Sequence, residues 1–244
     1  MRYLQRTDRR KQVEAVLRAL YIGTIGFLFT AAGASALQQI FLLAFGPSVF
    51  PPSAILSVLF GVLLVVYSLL ILRSGFVAVN RPTVRTPSRR ELAILGLATG
   101  GLLVVSFLVA EFTSYVGIPT SPSSIEQIAR TGNPSFLLAF VPISVLFIGP
   151  GEELLYRNVI QEHLSATFSD WSAVLLASGI FTAHHLLQYQ SATNAQTAMS
   201  LLSVFLLSLI LGYAYVKTNN ILVPALAHGL FDAIVFFHMW LEYS

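Results

Sequence analysis

Residues 149 to 157 read Gly149-Pro150-Gly151-Glu152-Glu153-Leu154-Leu155-Tyr156-Arg157 and place three charged side chains inside an otherwise apolar stretch. Ionisable residues at membrane depth are costly, face a protein interior or a water-filled cavity, and mark a functional site by default. The surrounding chain decides whether this is membrane depth. Its 244 residues are 55% hydrophobic and only 10% charged, with a mean hydropathy of +0.75. A soluble domain has about a quarter of its residues charged, so the chain reads as a polytopic membrane protein.

Apolar runs of spanning length, about 20 residues each, lie near Ala19 to Phe45, Ser53 to Leu72, Leu92 to Phe112, Trp171 to Leu187, Thr197 to Val216 and Ile221 to Trp240. A seventh, Ser135 to Ser165, is long and interrupted. The expected fold is therefore an all-α transmembrane bundle of about seven helices. It forms one integral membrane domain, with residues 1–134 as N-terminal membrane helices and 135–244 as the core that carries the chemistry. Eleven of the 14 Lys and Arg residues precede residue 91. They flank membrane helices, which gives no reason to expect a nucleic-acid partner. Arg2, Arg6, Arg9, Arg10 and Lys11 precede the first helix, and Arg73, Arg81, Arg85, Arg89 and Arg90 fill the second loop, whereas positions 46–52 are uncharged. By the positive-inside rule the N-terminus and second loop are cytoplasmic, and seven crossings put the C-terminus outside. The first apolar run is too long for a signal-peptide core and reads as a retained span.

Cysteine is absent, which excludes disulfides, thiolate zinc sites and a cysteine nucleophile together. Catalysis would use carboxylate, imidazole, hydroxyl or water. In the fourth segment Pro142 and Gly149-Pro150 predict a broken helix that restarts at Pro150, with the Glu pair in its first turn beside the positive end of the helix dipole. The loop from Tyr115 to Pro134 is rich in Pro, Ser and Gly. It is expected outside, where it could cover a site.

Glu153 and Arg157 are four residues apart on one helix face, acid first, the favoured direction for an ion pair. Glu152 points elsewhere and is free to take a proton, as a general base must. Two later apolar helices carry Phe181-Thr-Ala-His184-His185 and His228-Gly-Leu-Phe-Asp232. Glu152 lies 13 residues before Ser165 and His185 lies 15 after Asp170. At 1.5 Å per residue those are about 20 and 22 Å along antiparallel helices, so the two side chains sit level. His228 and Asp232 share a face, and Asp232 can orient the imidazole. His184 points about 100° away from His185 and is read as a packing neighbour, as is Phe181.

In that order, Glu152-Glu153-x-x-x-Arg157, Phe181-x-x-x-His185 and His228-x-x-x-Asp232 resemble the CPBP family of intramembrane proteases, which groups CAAX prenyl endopeptidases and bacteriocin-processing enzymes. The resemblance covers roughly residues 135 to 240. It implies that Glu152, with His185, activates a water for attack on a peptide carbonyl, while His228 and Asp232 stabilise the oxyanion. It also implies membrane-associated peptide or protein substrates, prenylated or leader-type. The prenyl-endopeptidase branch typically carries Asn where this chain has Asp232. An ionised Asp accepts and cannot donate hydrogen bonds, so Asp232 is expected to orient His228, leaving His228 as the donor.

The family is often labelled metalloprotease, and Glu152, His185 and His228 suit Zn²⁺ by residue type. There is no His-Glu-x-x-His pair, and Glu153 is committed to Arg157, so the metal-independent glutamate mechanism is preferred. Two other classes fit the same residues: a proton- or ion-coupled transporter, and a catalytically idle scaffold or immunity protein of the same fold. Transporters usually show repeated interrupted helices, and only one is evident.

Overall fold

The computed structural model describes residues 9–46, 50–77, 79, 82–189 and 193–244. Arg2, Arg6, Arg81 and positions 47–49 of the uncharged turn, all used in the topology reading, lie outside the described residues. In chain order the helices are α1 (Arg9–Phe45), α2 (Pro52–Ser74), α3 (Arg89–Tyr115), α4 (Ser124–Thr131), α5 (Pro134–Ser165), α6 (Asp170–His185), α7 (Asn194–Thr218) and α8 (Leu222–Tyr243). No strand occurs among the described residues.

Six of these helices, all but α4 and α6, are long and apolar enough to cross a membrane. The seventh expected crossing is α6, whose 16 residues extend about 24 Å before a 3₁₀ turn, Leu186–Tyr189, continues it. Leu28, Leu70, Leu97, Val104 and Phe107 on the long helices are exposed, as lipid-facing side chains are. The protein is an integral membrane protein with an all-α fold.

The helix ends follow local chemistry. Ser88 caps α3 through a reciprocal box with Glu91, and Thr193 does the same for α7 with Gln196. Pro52 opens α2, where its missing N–H costs nothing. Asn219, with φ 45°, turns the chain from α7 to α8.

Two packed cores meet at the site. In the first, Ile22 of α1, Leu64 of α2, Leu155 and Ile160 of α5 and Ala177 of α6 are buried together. In the second, Leu102 of α3, Leu211 of α7 and Val223 and Ala227 of α8 pack together. Glycines bring the backbones of α2, α5 and α8 close, as in many membrane bundles. A Cβ on Gly149 would come within 2.5 Å of the Ala225 carbonyl oxygen and 2.9 Å of the Gly229 nitrogen. One on Gly151 would come within 2.7 Å of the Gly61 carbonyl oxygen.

The helix break expected at Pro150 is not there. α5 runs through Gly149, whose φ and ψ are −52° and −53°, and it absorbs its prolines by widening. Ser144–Ile148 and Leu154–Gln161 are π-helical. The wider turn moves backbone carbonyls away from a proline ring and lets the helix continue past a missing donor. Glu152 and Glu153 therefore sit in the middle of a helix, and the stabilisation expected from a helix N-terminus falls away.

Candidate active site

Glu153 and Arg157 form the predicted pair, with Arg157 Nε donating to Glu153 Oε2 at 2.8 Å and both side chains fully buried. The guanidinium also donates from Nη2 to Ser208 Oγ of α7 at 2.9 Å and lies 5.6 Å from the centre of the Phe181 ring. The second oxygen of Glu153 faces α8, where His228 Nδ1 lies 2.9 Å from Oε1. A carboxylate oxygen accepts, so Nδ1 carries the hydrogen. One carboxylate thus holds Arg157 and His228 at once, across the junction of the two cores.

This arrangement changes the part expected of Asp232. Its Oδ2 lies 3.5 Å from His228 Nε2, on the opposite side of the ring from Glu153. Nδ1 is anchored by Glu153, and Asp232 faces the nitrogen that points to the cavity. Glu152 approaches the same nitrogen, with Oε2 at 3.9 Å. Among the described residues the Glu152 carboxylate has no hydrogen-bond partner, although the residue is only 8% exposed.

His185, at the end of α6, lies with Nδ1 2.9 Å from the Phe181 carbonyl oxygen. A carbonyl accepts, so Nδ1 is the protonated nitrogen and Nε2 is left with its lone pair. Phe181 packs at 4.3 Å against the His185 ring and at 6.2 Å against that of His228, which spaces the two imidazoles. His184 turns the other way. Its Nδ1 is 2.8 Å from Tyr156 Oη, and its ring stacks on Phe27 at 5.3 Å. It packs helices, as its angular position predicts.

Glu152, His185, His228 and Asp232 all line one cavity of about 630 Å³. Seven residues between Thr120 and Ile128, Glu126 among them, also line it, and α4 was not foreseen in that loop. Ser123 caps α4 by accepting from Glu126 N. Ser121 is tied to α7, its N–H donating to Ser200 Oγ at 2.8 Å. Glu126 accepts from Arg130 at 2.6 Å and from Tyr243 Oη at 3.2 Å.

Tyr189 is a further lining residue that the sequence reading missed. Its carbonyl oxygen accepts from Thr197 Oγ1 at 2.9 Å, whereas its phenol has no hydrogen-bond partner among the described residues. A phenol, with an ordinary pKa of about 10, keeps its proton at neutral pH and can donate a hydrogen bond. The spacing Phe181, His185, Tyr189, four residues each time, was the available signal.

The zinc set weighed from residue type is not gathered: among the described residues no group of three or more His, Asp or Glu side chains converges as a metal ion needs. The Nδ1 bonds of His228 to Glu153 and of His185 to a backbone carbonyl leave the Nε2 atom of each ring open and do not themselves argue against a metal. No step below is routed through a metal.

Residues 134–234 match the model of the family described as Type II CAAX prenyl endopeptidase Rce1-like. The matched stretch takes in Glu152, Glu153, Arg157, His185, His228 and Asp232, and it is the family to which the three motifs point. No curated protein and no solved structure matches the chain.

Proposed function

From the premise that residues 134–234 are those of a CAAX prenyl endopeptidase-like core, we propose that the protein is an intramembrane endopeptidase. It hydrolyses membrane-associated polypeptides, of prenylated C-a-a-X or leader type, with water as the nucleophile. One observation carries the reading: Glu152 faces the cavity without a hydrogen-bond partner among the described residues, while the adjacent Glu153 is engaged by Arg157 and His228.

In the proposed mechanism a water donates one hydrogen to Glu152 and the other to His185 Nε2, which aims an oxygen lone pair at the scissile carbonyl. Glu152 removes a proton as the oxygen bonds to the carbonyl carbon. The carbonyl oxygen becomes the oxyanion, met by the Nε2–H of a doubly protonated His228 and by the Tyr189 hydroxyl. Losing one such donor costs about 10²–10³ in turnover. Collapse breaks the carbon–nitrogen bond, and Glu152 returns its proton to the leaving amine. Glu153 acts through His228 and Arg157 and is a positioning residue. Asp232, facing Nε2, is assigned to holding that N–H toward the cavity.

The proposed topology keeps the N-terminus and the arginine-rich second loop in the cytoplasm. Supporting it, Ile221 N donates to Thr83 O at 3.1 Å and Asn220 Nδ2 to Arg85 O at 2.9 Å. The second loop and the α7–α8 turn therefore share one end of the bundle, as the charge rule requires. Purified protein is tested on a panel of prenylated and leader-type peptides beside Glu152→Gln. Cleavage by the wild type and its loss in the variant are expected. Cleavage that survives Glu152→Gln overturns the assignment, and ion flux in liposomes without cleavage replaces it with a transporter.

A further inference from the structure

Ser208 of α7 stands where the buried ion pair meets the cavity. It belongs to the cavity wall with Glu152, His185 and His228, and it is fully buried there. Its Oγ accepts from Arg157 Nη2 at 2.9 Å. A guanidinium only donates, so the hydroxyl is the acceptor in this contact and its own hydrogen remains to be placed. Serine and threonine in helix interiors commonly return that hydrogen to the carbonyl one turn back. On the same helix Ser200 and Thr218 do so, donating to the oxygens of Gln196 at 3.3 Å and Ala214 at 2.8 Å. Ser208 does not, and among the described residues its hydrogen meets no acceptor.

A buried donor left unmet is costly, and this one is strengthened from behind, because a hydroxyl that accepts from a cation is polarised and donates more strongly. The acceptor is then supplied by what the cavity holds. A polypeptide brings one carbonyl oxygen per residue. The Glu153 carboxylate and the Arg157 guanidinium stand in sequence between His228 and Ser208. The scissile carbonyl is met at His228, so a carbonyl met at Ser208 belongs to a residue beside the cut.

We propose that Ser208 is a substrate-binding residue, whose hydroxyl, backed by Arg157, donates to the backbone carbonyl oxygen of the substrate residue next to the scissile one. It sets the register of the peptide against Glu152 through a main-chain atom, and so imposes no side-chain preference of its own. The proposal deepens the peptidase reading and rests on it. Glu153 and Arg157 then act at two points of the substrate, through His228 at the scissile carbonyl and through Ser208 at its neighbour.

The test compares three prenylated peptides: a parent, and two in which the amide just before or just after the scissile one is replaced by a trans-alkene, which keeps the shape and removes the carbonyl oxygen. With the wild type, one of the two alkene peptides should lose about five- to tenfold in kcat/KM, the scale of one hydrogen bond, chiefly through KM. Ser208→Ala should lose a similar factor on the parent and no further factor on that alkene peptide, the coupling that a double-substitution cycle reads. Ser208→Cys, close in size and a weak donor, should show the same pattern and serves if Ser208→Ala folds poorly in gel filtration. A serine that is merely structural lowers all three peptides by one factor. That result, or alkene penalties that persist unchanged in the variants, overturns the proposal. Binding of the same peptides to the Glu152→Gln protein, with and without Ser208→Ala, read by fluorescence anisotropy, separates the two readings. A carbonyl-dependent loss of binding tied to Ser208, without wild-type cleavage, keeps this inference and removes the peptidase; cleavage without that coupling does the reverse.

Discussion

Replacing Glu153 by Ala tests the division of labour between the two adjacent carboxylates. Glu153 is fully buried and accepts from Arg157 Nε at 2.8 Å and His228 Nδ1 at 2.9 Å. Without it, Arg157 keeps only its bond to Ser208 among side-chain acceptors, with Nη1 already lacking a partner. Removing one member of a buried ion pair costs about 3–5 kcal/mol, because the other charge is left buried and uncompensated. For a chain of this size each kcal/mol shifts the melting midpoint by about 2–4 °C, so Glu153→Ala should melt roughly 6–20 °C below the wild type.

Glu152→Ala breaks no hydrogen bond among the described residues and removes a carboxylate whose Oε2 sits 3.9 Å from His228 Nε2. Its midpoint should stay within about 2 °C of the wild type, the range of substitutions that disturb no packing or pairing. Thermal unfolding in detergent, followed beside cleavage of a prenylated peptide, separates the two. Both variants should lose turnover, and only Glu153→Ala should lose stability. A Glu153→Ala protein that melts with the wild type, or a Glu152→Ala protein destabilised as much as Glu153→Ala, would refute the reasoning.

Three further outcomes are expected. Gly149→Ala and Gly151→Ala should yield little folded protein in gel filtration, since each Cβ meets backbone oxygen of a neighbouring helix at 2.5 and 2.7 Å, whereas Gly96→Ala, with open space around it, should express normally. Tyr189→Phe should lower kcat about 100- to 1000-fold with KM and melting midpoint unchanged, as loss of one oxyanion donor does; a wild-type kcat removes Tyr189 from the mechanism. Exhaustive chelation should leave peptide cleavage intact, and a loss restored by added zinc would return Glu152, His185 and His228 to the role of metal ligands.

The spans were legible because lipid imposes length and apolarity on each helix independently of its neighbours. The Glu153–Arg157 pair was legible for a similar reason, being set by the period of one helix. What escaped was set between helices. Nothing local says that His228 turns Nδ1 to a carboxylate 75 positions earlier when Asp232 is four residues away on its own helix. That choice follows from how closely α5 and α8 approach. The approach depends in turn on Gly149 and Gly229, which the sequence presents only as breakers or as ordinary small residues. The proline signal misled in the same way, since Pro142 and Pro150 end a helix in water, where a severed backbone can bond to solvent.

Inside a bundle that option is absent, and the backbone instead stays bonded by widening into the π-helical turns Ser144–Ile148 and Leu154–Gln161. These flank the Glu pair on both sides, and Leu154–Gln161 carries Arg157, whose guanidinium reaches Glu153 on one side and Ser208 of α7 on the other. With α8 held against Gly149, the same helix presents Glu153 to His228 and leaves Glu152 to the cavity. The proline that looked like a break therefore belongs to the framework that separates a structural carboxylate from a reactive one. A chain with the same motifs but a truly broken α5 would have no reason to hold His228 Nδ1 against Glu153, and its two glutamates would lose their distinction.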